Sequence, residues 1–138
     1  MISKALDYAL RALVFMARNP DQEYFGVNEL AEKAQVSRTY LGKILQNLAR
    51  QGYLNSTTGP RGGFSLAKDP KKVTVMELMD ALEDENLKDK CFLGLAECSD
   101  TNPCPIHLTW KKCRASILSD FKKITIKDAS KKAWPEYR

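Results

Sequence analysis

Leu6, Leu10, Leu13 and Ala17 recur at helical spacing while Asp7, Arg11 and Arg18 fall off that stripe. Residues 2 to 18 therefore predict an amphipathic helix, which Asn19-Pro20 stops. After a turn containing Gly26, Asn28 is placed to cap a short helix whose Leu30, Ala31 and Ala34 form one face, ending near Gln35-Val36. Ser37 opens the next helix, with Leu41, Ile44, Leu45 and Leu48 at i, i+3, i+4 and i+7, and Gly52 ends it. Two helices in such tight succession spell a helix-turn-helix.

Tyr53 and Leu54 begin an extended run that breaks at Gly59-Pro60-Arg61-Gly62-Gly63 and resumes at Phe64 to Ala67. It predicts a two-stranded hairpin, a wing. Thr74-x-x-Glu77 is a capping box ahead of Val75, Leu78, Met79 and Leu82, so a further helix is expected over roughly 74 to 84. Residues 86 to 104 carry no sustained period and hold Gly94, Ser99-Asp100 and Asn102-Pro103, the composition of a long loop. From Pro105 a long helix restarts, with Ile106, Trp110, Cys113, Ile117, Phe121 and Ile124 along one stripe. Such a stripe on a helix projecting from a small domain needs a cover, and the same helix of a second subunit supplies one, predicting a two-fold homodimer. The fold class is thus mainly α: a winged helix-turn-helix with a two-stranded β-hairpin wing and a long C-terminal dimerisation helix. Three units are expected: a DNA-binding domain over 1–84, a cysteine-bearing sensor loop over 85–104, and the dimerisation helix with its tail over 105–138.

Charge sharpens this picture. Residues 1 to 72 hold eleven Lys/Arg against six Asp/Glu, and the remainder holds eleven of each, so the whole net charge of +5 lies in the half with the helix-turn-helix. A polyanion would meet that half first. The second helix of the motif offers Ser37, Arg38, Thr39 and Tyr40 to base edges, and Lys43, Asn47 and Arg50 to phosphates or bases. Arg61, held between glycines in the wing, has the charge to enter a minor groove, with Thr57, Thr58 and Lys68 placed to assist. Double-stranded DNA is the expected partner. No run of eighteen apolar residues exists, and Arg11 interrupts the apolar stretch Ala9 to Ala17, so neither a membrane span nor a signal peptide is expected. The location expected is cytoplasmic, where four cysteines stand as thiols or metal ligands rather than disulfides.

Cys91, Cys98, Cys104, His107 and Cys113 lie within one short stretch, and the chain has no other cysteine or histidine. The spacing C-x6-C-x5-C-x2-H-x5-C fits neither a zinc ribbon nor a ferredoxin. Three thiolates on an irregular loop, with a fourth ligand from a helix or another subunit, could still hold an iron-sulfur cluster, because soft sulfur suits iron. Cys113 falls in the apolar stripe and reads as a packed small hydrophobe. His107, three residues after Cys104, serves equally as a packing residue or a ligand. Asp7 and Arg11 read as a solvated intrahelical pair. No C-x2-C pair, phosphate loop or paired-carboxylate site occurs, so an enzyme is not expected.

The order of motifs resembles the Rrf2 family of winged-helix regulators over nearly the whole chain. The carriers are Leu6-Asp7-Tyr8-Ala9-Leu10-Arg11-Ala12-Leu13, Leu30-Ala31-Glu32, Val36-Ser37-Arg38-Thr39-Tyr40-Leu41, Gly59-Pro60-Arg61-Gly62-Gly63-Phe64-Ser65-Leu66-Ala67, and Thr74-Val75-x-Glu77-Leu78-x-x-Ala81-Leu82-Glu83. The resemblance implies a homodimer on a pseudo-palindromic operator, with Cys91, Cys98 and Cys104 as ligands of a 2Fe-2S or 4Fe-4S cluster that aerobic handling would strip. It leaves two fourth ligands open: His107, as in members with a 2Fe-2S site, or Asp7 of the partner chain, as in members with a 4Fe-4S site. Cys113 is an extra cysteine, able to stand in for either. The gap between Cys91 and Cys98 is one residue longer than the usual spacing. Gly42 stands where cluster-binding members place a glutamate, and Thr58 where they place a wing arginine, so a different operator is implied, with Arg61 taking the minor-groove role. The cluster would sense redox state, nitric oxide or iron-sulfur status. The alternative keeps the DNA reader without a cluster, regulated by thiol chemistry or a protein partner.

Overall fold

Helix α1 (Lys4–Arg18) begins where Ser3 accepts a hydrogen bond from the Leu6 amide at 3.1 Å, and it ends at Asn19. The computed structural model describes residues 2–132, so residues 133–138 of the expected tail lie outside the described residues. Leu6, Leu13 and Met16 of α1 are fully buried, and this helix is the axle of the fold. It touches α2 (Val27–Ala34), α3 (Arg38–Arg50), α4 (Val75–Ala81) and α6 (Ile126–Ala129).

Helix α2 closes on Gln35 in the left-handed region at φ +57°, which turns the chain sharply into the Ser37 cap of α3. Ser37 accepts from the Tyr40 amide, and α3 buries Leu41, Ile44, Leu45 and Leu48 as its spacing predicts. Each fully buried leucine of this stripe contributes about 1.5–3 kcal/mol relative to exposure. Gly52, at φ +86°, turns the chain out of α3 towards β1 (Leu54–Thr57), which pairs antiparallel with β2 (Gly63–Leu66) in the register Leu54↔Leu66 to Thr57↔Gly63. The wing is anchored by a bridge between Phe25 and Phe64, whose backbone N–H groups donate to each other's carbonyls at 2.8 Å. That approach requires Gly63, since a Cβ there would lie 2.3 Å from the Phe25 carbonyl oxygen.

Helix α4 starts at Thr74, whose hydroxyl accepts from the Glu77 amide at 3.1 Å, and it ends at Leu82, two residues short of the expected boundary. No helix or strand forms between α4 and α5 (His107–Phe121), as the lack of periodicity predicts. Trp110 fastens the base of α5 by donating its indole N–H to the Lys90 carbonyl at 3.0 Å. Beyond α5 the chain returns to the main body. Thr74 bridges Thr125, the Val75 amide donates to the Ile124 carbonyl at 3.0 Å, and the Ile126 amide donates to the Val73 carbonyl at 2.9 Å. Arg18 donates to the Ser130 carbonyl at 2.8 Å, tying α6 to α1.

Four local expectations need correction. The cap of α2 is Gly26, whose carbonyl accepts from Leu30; Asn28 lies inside the first turn because the Phe25 bridge delivers the chain two residues early. Arg11 is buried rather than solvated, since its guanidinium reaches the Ala34 carbonyl at 2.9 Å while also gripping both Asp7 oxygens. Helix α5 stops at Phe121, because Ile124 is drawn into the backbone bond with Val75. Cys113 is exposed in the single chain, not packed. Of the α5 stripe only Trp110 is buried, with Ile117 and Phe121 half-buried.

Candidate nucleic-acid interface and cysteine cluster

The N-terminal half of α3 presents Arg38, Thr39, Tyr40 and Lys43 at the surface, with Gln46 and Arg50 following on the same side. Thr39, Lys43, Gln46 and Arg50 line a groove of about 430 Å³ floored by Val27 and Phe64. Gly42 also lines it, and a Cβ there would meet the Val27 side chain at 3.6 Å, an ordinary contact. A second groove, of about 440 Å³, runs from the start of α2 past Gln46 to Gly59 and Gly62 of the wing. Arg61 is exposed at the wing tip, where the Gly62 amide closes a turn onto Gly59 at 3.0 Å.

Not all the expected DNA-facing side chains are equally placed. The Ser37 hydroxyl is engaged as the α3 cap. Arg38 donates to Asn28 at 3.1 Å, so the two motif helices are latched at their exposed edge. Tyr40 meets Tyr8 edge-to-face at 5.5 Å, linking α1 to the reading helix. Asn47 is half-buried and accepts from Gln51, whose amide also donates to the Ala81 carbonyl, so Asn47 faces α4. Lys68 sits over the Tyr53 ring at 4.2 Å, withdrawn from the wing tip. Gln46 and Asn28 are the surface residues that sequence reasoning missed. Gln46 sits one helical turn from both Lys43 and Arg50, so i+3 and i+4 spacing would have found it, whereas Asn28 lies on α2 and joins this face through its bond to Arg38.

The second feature is the cysteine loop. Cys98 Sγ lies 3.3 Å from His107 Nδ1, and Cys91 and Cys104 lie close enough to shift each other's titration. Cys98 also faces Cys104 closely enough to raise its pKa electrostatically. Three of the four cysteines and the single histidine therefore converge, while Cys113 stands apart on the exposed side of α5. Burial alone would push both thiols up. At Cys91 this is outweighed by backbone amides of Leu93, Leu95 and Gly94 and by the Cys104 thiol, which favour the thiolate; at Cys104 burial and the facing Cys91 thiolate raise the value. His107 is buried and its other nitrogen, Nε2, bonds Asp100 at 2.7 Å. Asp100 is pulled down to about 2 by that bond first and by Lys111 second. Asp7, the other expected ligand, is held bidentately by Arg11 at 2.8 and 2.9 Å on α1.

Among the described residues no group of three His, Cys, Asp or Glu side chains is preformed around a single metal ion. A cluster bridged by inorganic sulfide spreads its ligands over several iron atoms, and a set of three thiols and an imidazole suits its soft iron centres. The donor chemistry fits. Among the described residues no helix is long and apolar enough to cross a membrane.

Comparison with known proteins places the architecture. The profile of the Rrf2 family, described as an iron-dependent transcriptional regulator, matches residues 2–132. An inferred HTH-type transcriptional regulator of Aquifex aeolicus (strain VF5) is 37% identical over 130 residues, covering 93% of this chain and 90% of that protein. Among solved structures, CymR, the global cysteine regulator of B. subtilis, superposes with TM-score 0.76 at 21% identity, over 95% of this chain and 96% of that one. IscR of T. potens superposes with TM-score 0.69 at 21% identity, over 95% and 86%. The structural likenesses establish the winged-helix fold; the profile and the 37% identical relative establish the kinship, and both describe regulators rather than enzymes. The chain belongs to the Rrf2 family of transcription regulators.

Proposed function

We propose that this chain is a cytoplasmic, homodimeric regulator that reads a pseudo-palindromic operator, with an affinity set by an iron-sulfur cluster on Cys91, Cys98, Cys104 and His107. The convergence of three thiols and the one histidine at the base of α5 carries this reading. The operator is read by Arg38, Thr39, Tyr40, Lys43 and Arg50 in the major groove, with Arg61 of the wing on the minor groove or a phosphate. Ser37 and Asn47 serve as cap and flank rather than as base readers.

When bound, the cluster supplies a cross-link sensitive to redox state, nitric oxide and iron-sulfur supply. The chain's own residues do the rest. Cys91 and Cys98 lie on the loop, whereas Cys104 and His107 lie at the entry to α5, so joint ligation fastens the loop to that helix. Release loosens both, altering the separation of the two reading heads and hence the binding free energy. His107 is preferred to Asp7 of the partner chain as the fourth ligand, because Asp7 is committed to Arg11.

Anaerobic purification with an absorbance spectrum and iron and sulfide analysis tests this on the wild type, His107→Ala and Asp7→Ala. A coloured wild type whose cluster is lost in His107→Ala supports it. Loss in Asp7→Ala alone transfers the ligand role to Asp7. A colourless, iron-free protein that binds DNA favours regulation through thiols or a protein partner, for which the neighbouring Cys91 and Cys104 thiols are the starting point. A single-chain mass by gel filtration at micromolar concentration would refute the dimer.

A further inference from the structure

His107 is the only histidine of the chain, and both its ring nitrogens are engaged. Nε2 lies 2.7 Å from Asp100 Oδ1, and Nδ1 lies 3.3 Å from Cys98 Sγ. A carboxylate only accepts hydrogen bonds, so Nε2 must carry a proton in this pair. The neutral ring then has its lone pair on Nδ1, the nitrogen that faces the thiols. Asp100 is itself set in place. Lys111, one turn beyond His107 on α5, donates to both carboxylate oxygens at 2.9 Å. The Ser99 hydroxyl accepts from the Thr101 and Asn102 amides at 3.2 Å, which folds the loop around Asp100.

We propose that Asp100 is a positioning residue that holds His107 in the Nε2–H tautomer and presents Nδ1 to the thiol-lined site, selecting imidazole over the Asp7 carboxylate as fourth ligand. A metal-bound histidine ordinarily donates its second N–H to a carboxylate or carbonyl, which fixes the ring and raises ligand basicity. Here that partner comes from the loop between Cys98 and Cys104, not from the helix carrying His107. The same excursion of chain that supplies two thiols thereby also aims the nitrogen. This inference rests on the cluster reading above.

The test has two readouts on the full-length chain. In the metal-free protein, nitrogen NMR of the single 15N-labelled histidine reports the tautomer directly. The wild type shows a protonated Nε2 and a bare Nδ1. Asp100→Asn, which retains an acceptor oxygen, keeps that pattern, and Asp100→Ala loses it to a mixture of tautomers. The second readout is anaerobic loading with ferrous iron and sulfide. Asp100→Ala retains iron about 10–100-fold less well than the wild type, and Asp100→Asn stays closer to it. A wild-type proton on Nδ1, or an Asp100→Ala spectrum and iron retention matching the wild type, overturns the proposal. A wild type that takes up no iron and sulfide overturns the cluster reading and the ligand role together, while the tautomer readout still shows whether Asp100 aims the ring.

Discussion

Replacing Gly63 with alanine should detach the wing from the helix-turn-helix. Gly63 has φ +148°, and the added Cβ would lie 2.3 Å from the Phe25 carbonyl oxygen and 2.7 Å from its carbon. Both are backbone atoms of the bridge itself, so no side chain can swing aside. The protein has two ways to respond. It can keep the bridge and a strained alanine, at about 1–3 kcal/mol. Or it can release the two 2.8 Å hydrogen bonds between Phe25 and Phe64, also at about 1–3 kcal/mol. The cheaper route sets the cost, so the destabilisation is about 1–3 kcal/mol rather than the sum. At roughly 3–5 °C per kcal/mol for a chain of this size, the melting point falls by about 3–15 °C. Gly26→Ala is the control: its φ is −69° and nothing lies within 4 Å of its added Cβ, so it should cost only the loss of a good α2 cap, under about 1 kcal/mol. Urea unfolding and fluorescence anisotropy with operator DNA at fixed salt measure both effects. If Gly63→Ala matches Gly26→Ala in both, the Phe25–Phe64 bridge does not hold the wing.

Leu45→Ala should cost about 2–5 kcal/mol, because the side chain is fully buried at the centre of α3, and the urea midpoint would show it. Arg61→Ala should weaken DNA binding across sequences and lower the slope of log affinity against log salt by about 1 per reading head; an unchanged slope would place Arg61 off the phosphates. The Asp128 carboxyl is held below its ordinary 3.8 by the Thr125 amide and hydroxyl. A depressed acid stabilises the fold above its unfolded pKa, and that contribution fades as pH falls through 3.8 and below. Hydrogen exchange at the Ile126 amide should therefore accelerate first in that window, and Asp128→Asn should remove the pH dependence. Trp110→Phe should cost about 0.5–1.5 kcal/mol by removing the donor to the Lys90 carbonyl, read as a lowered urea midpoint.

The parts of this fold that sequence reasoning found are those whose signals are local. Ser37 and Gly52 bracket α3 because a hydroxyl cap and a left-handed glycine act within one turn. The wing was legible from five residues of turn chemistry. Arg11 was misjudged because its burial depends on the Ala34 carbonyl, twenty-three positions away. Helix α6 was overlooked although Thr125-x-x-Asp128 is a capping box, since a four-residue helix relies on its packing against α1 and its backbone bonds to Pro70 and Val73. In the site, the clustering of cysteines and one histidine was legible because those residues are otherwise absent. The part played by Asp100 was not, because one acid among eight between residues 74 and 100 carries no signature until the loop folds it onto His107.

The return of the chain after α5 has a mechanical consequence. A helix attached at one end is a hinge arm, and a push at its root is absorbed by its free swing. Here the root of α5 is pinned by Trp110 to Lys90, and the chain just beyond its tip is pinned by the backbone bonds joining Ile124 and Ile126 to Val75 and Val73. Clamped at both ends, the helix behaves as a strut. A displacement at the Cys104 end is answered at the Val73 end, and from there, through α6 and Arg18, at the far end of α1. The C-terminal end of α1 is thus joined, through α6 and α5, to the cysteine loop.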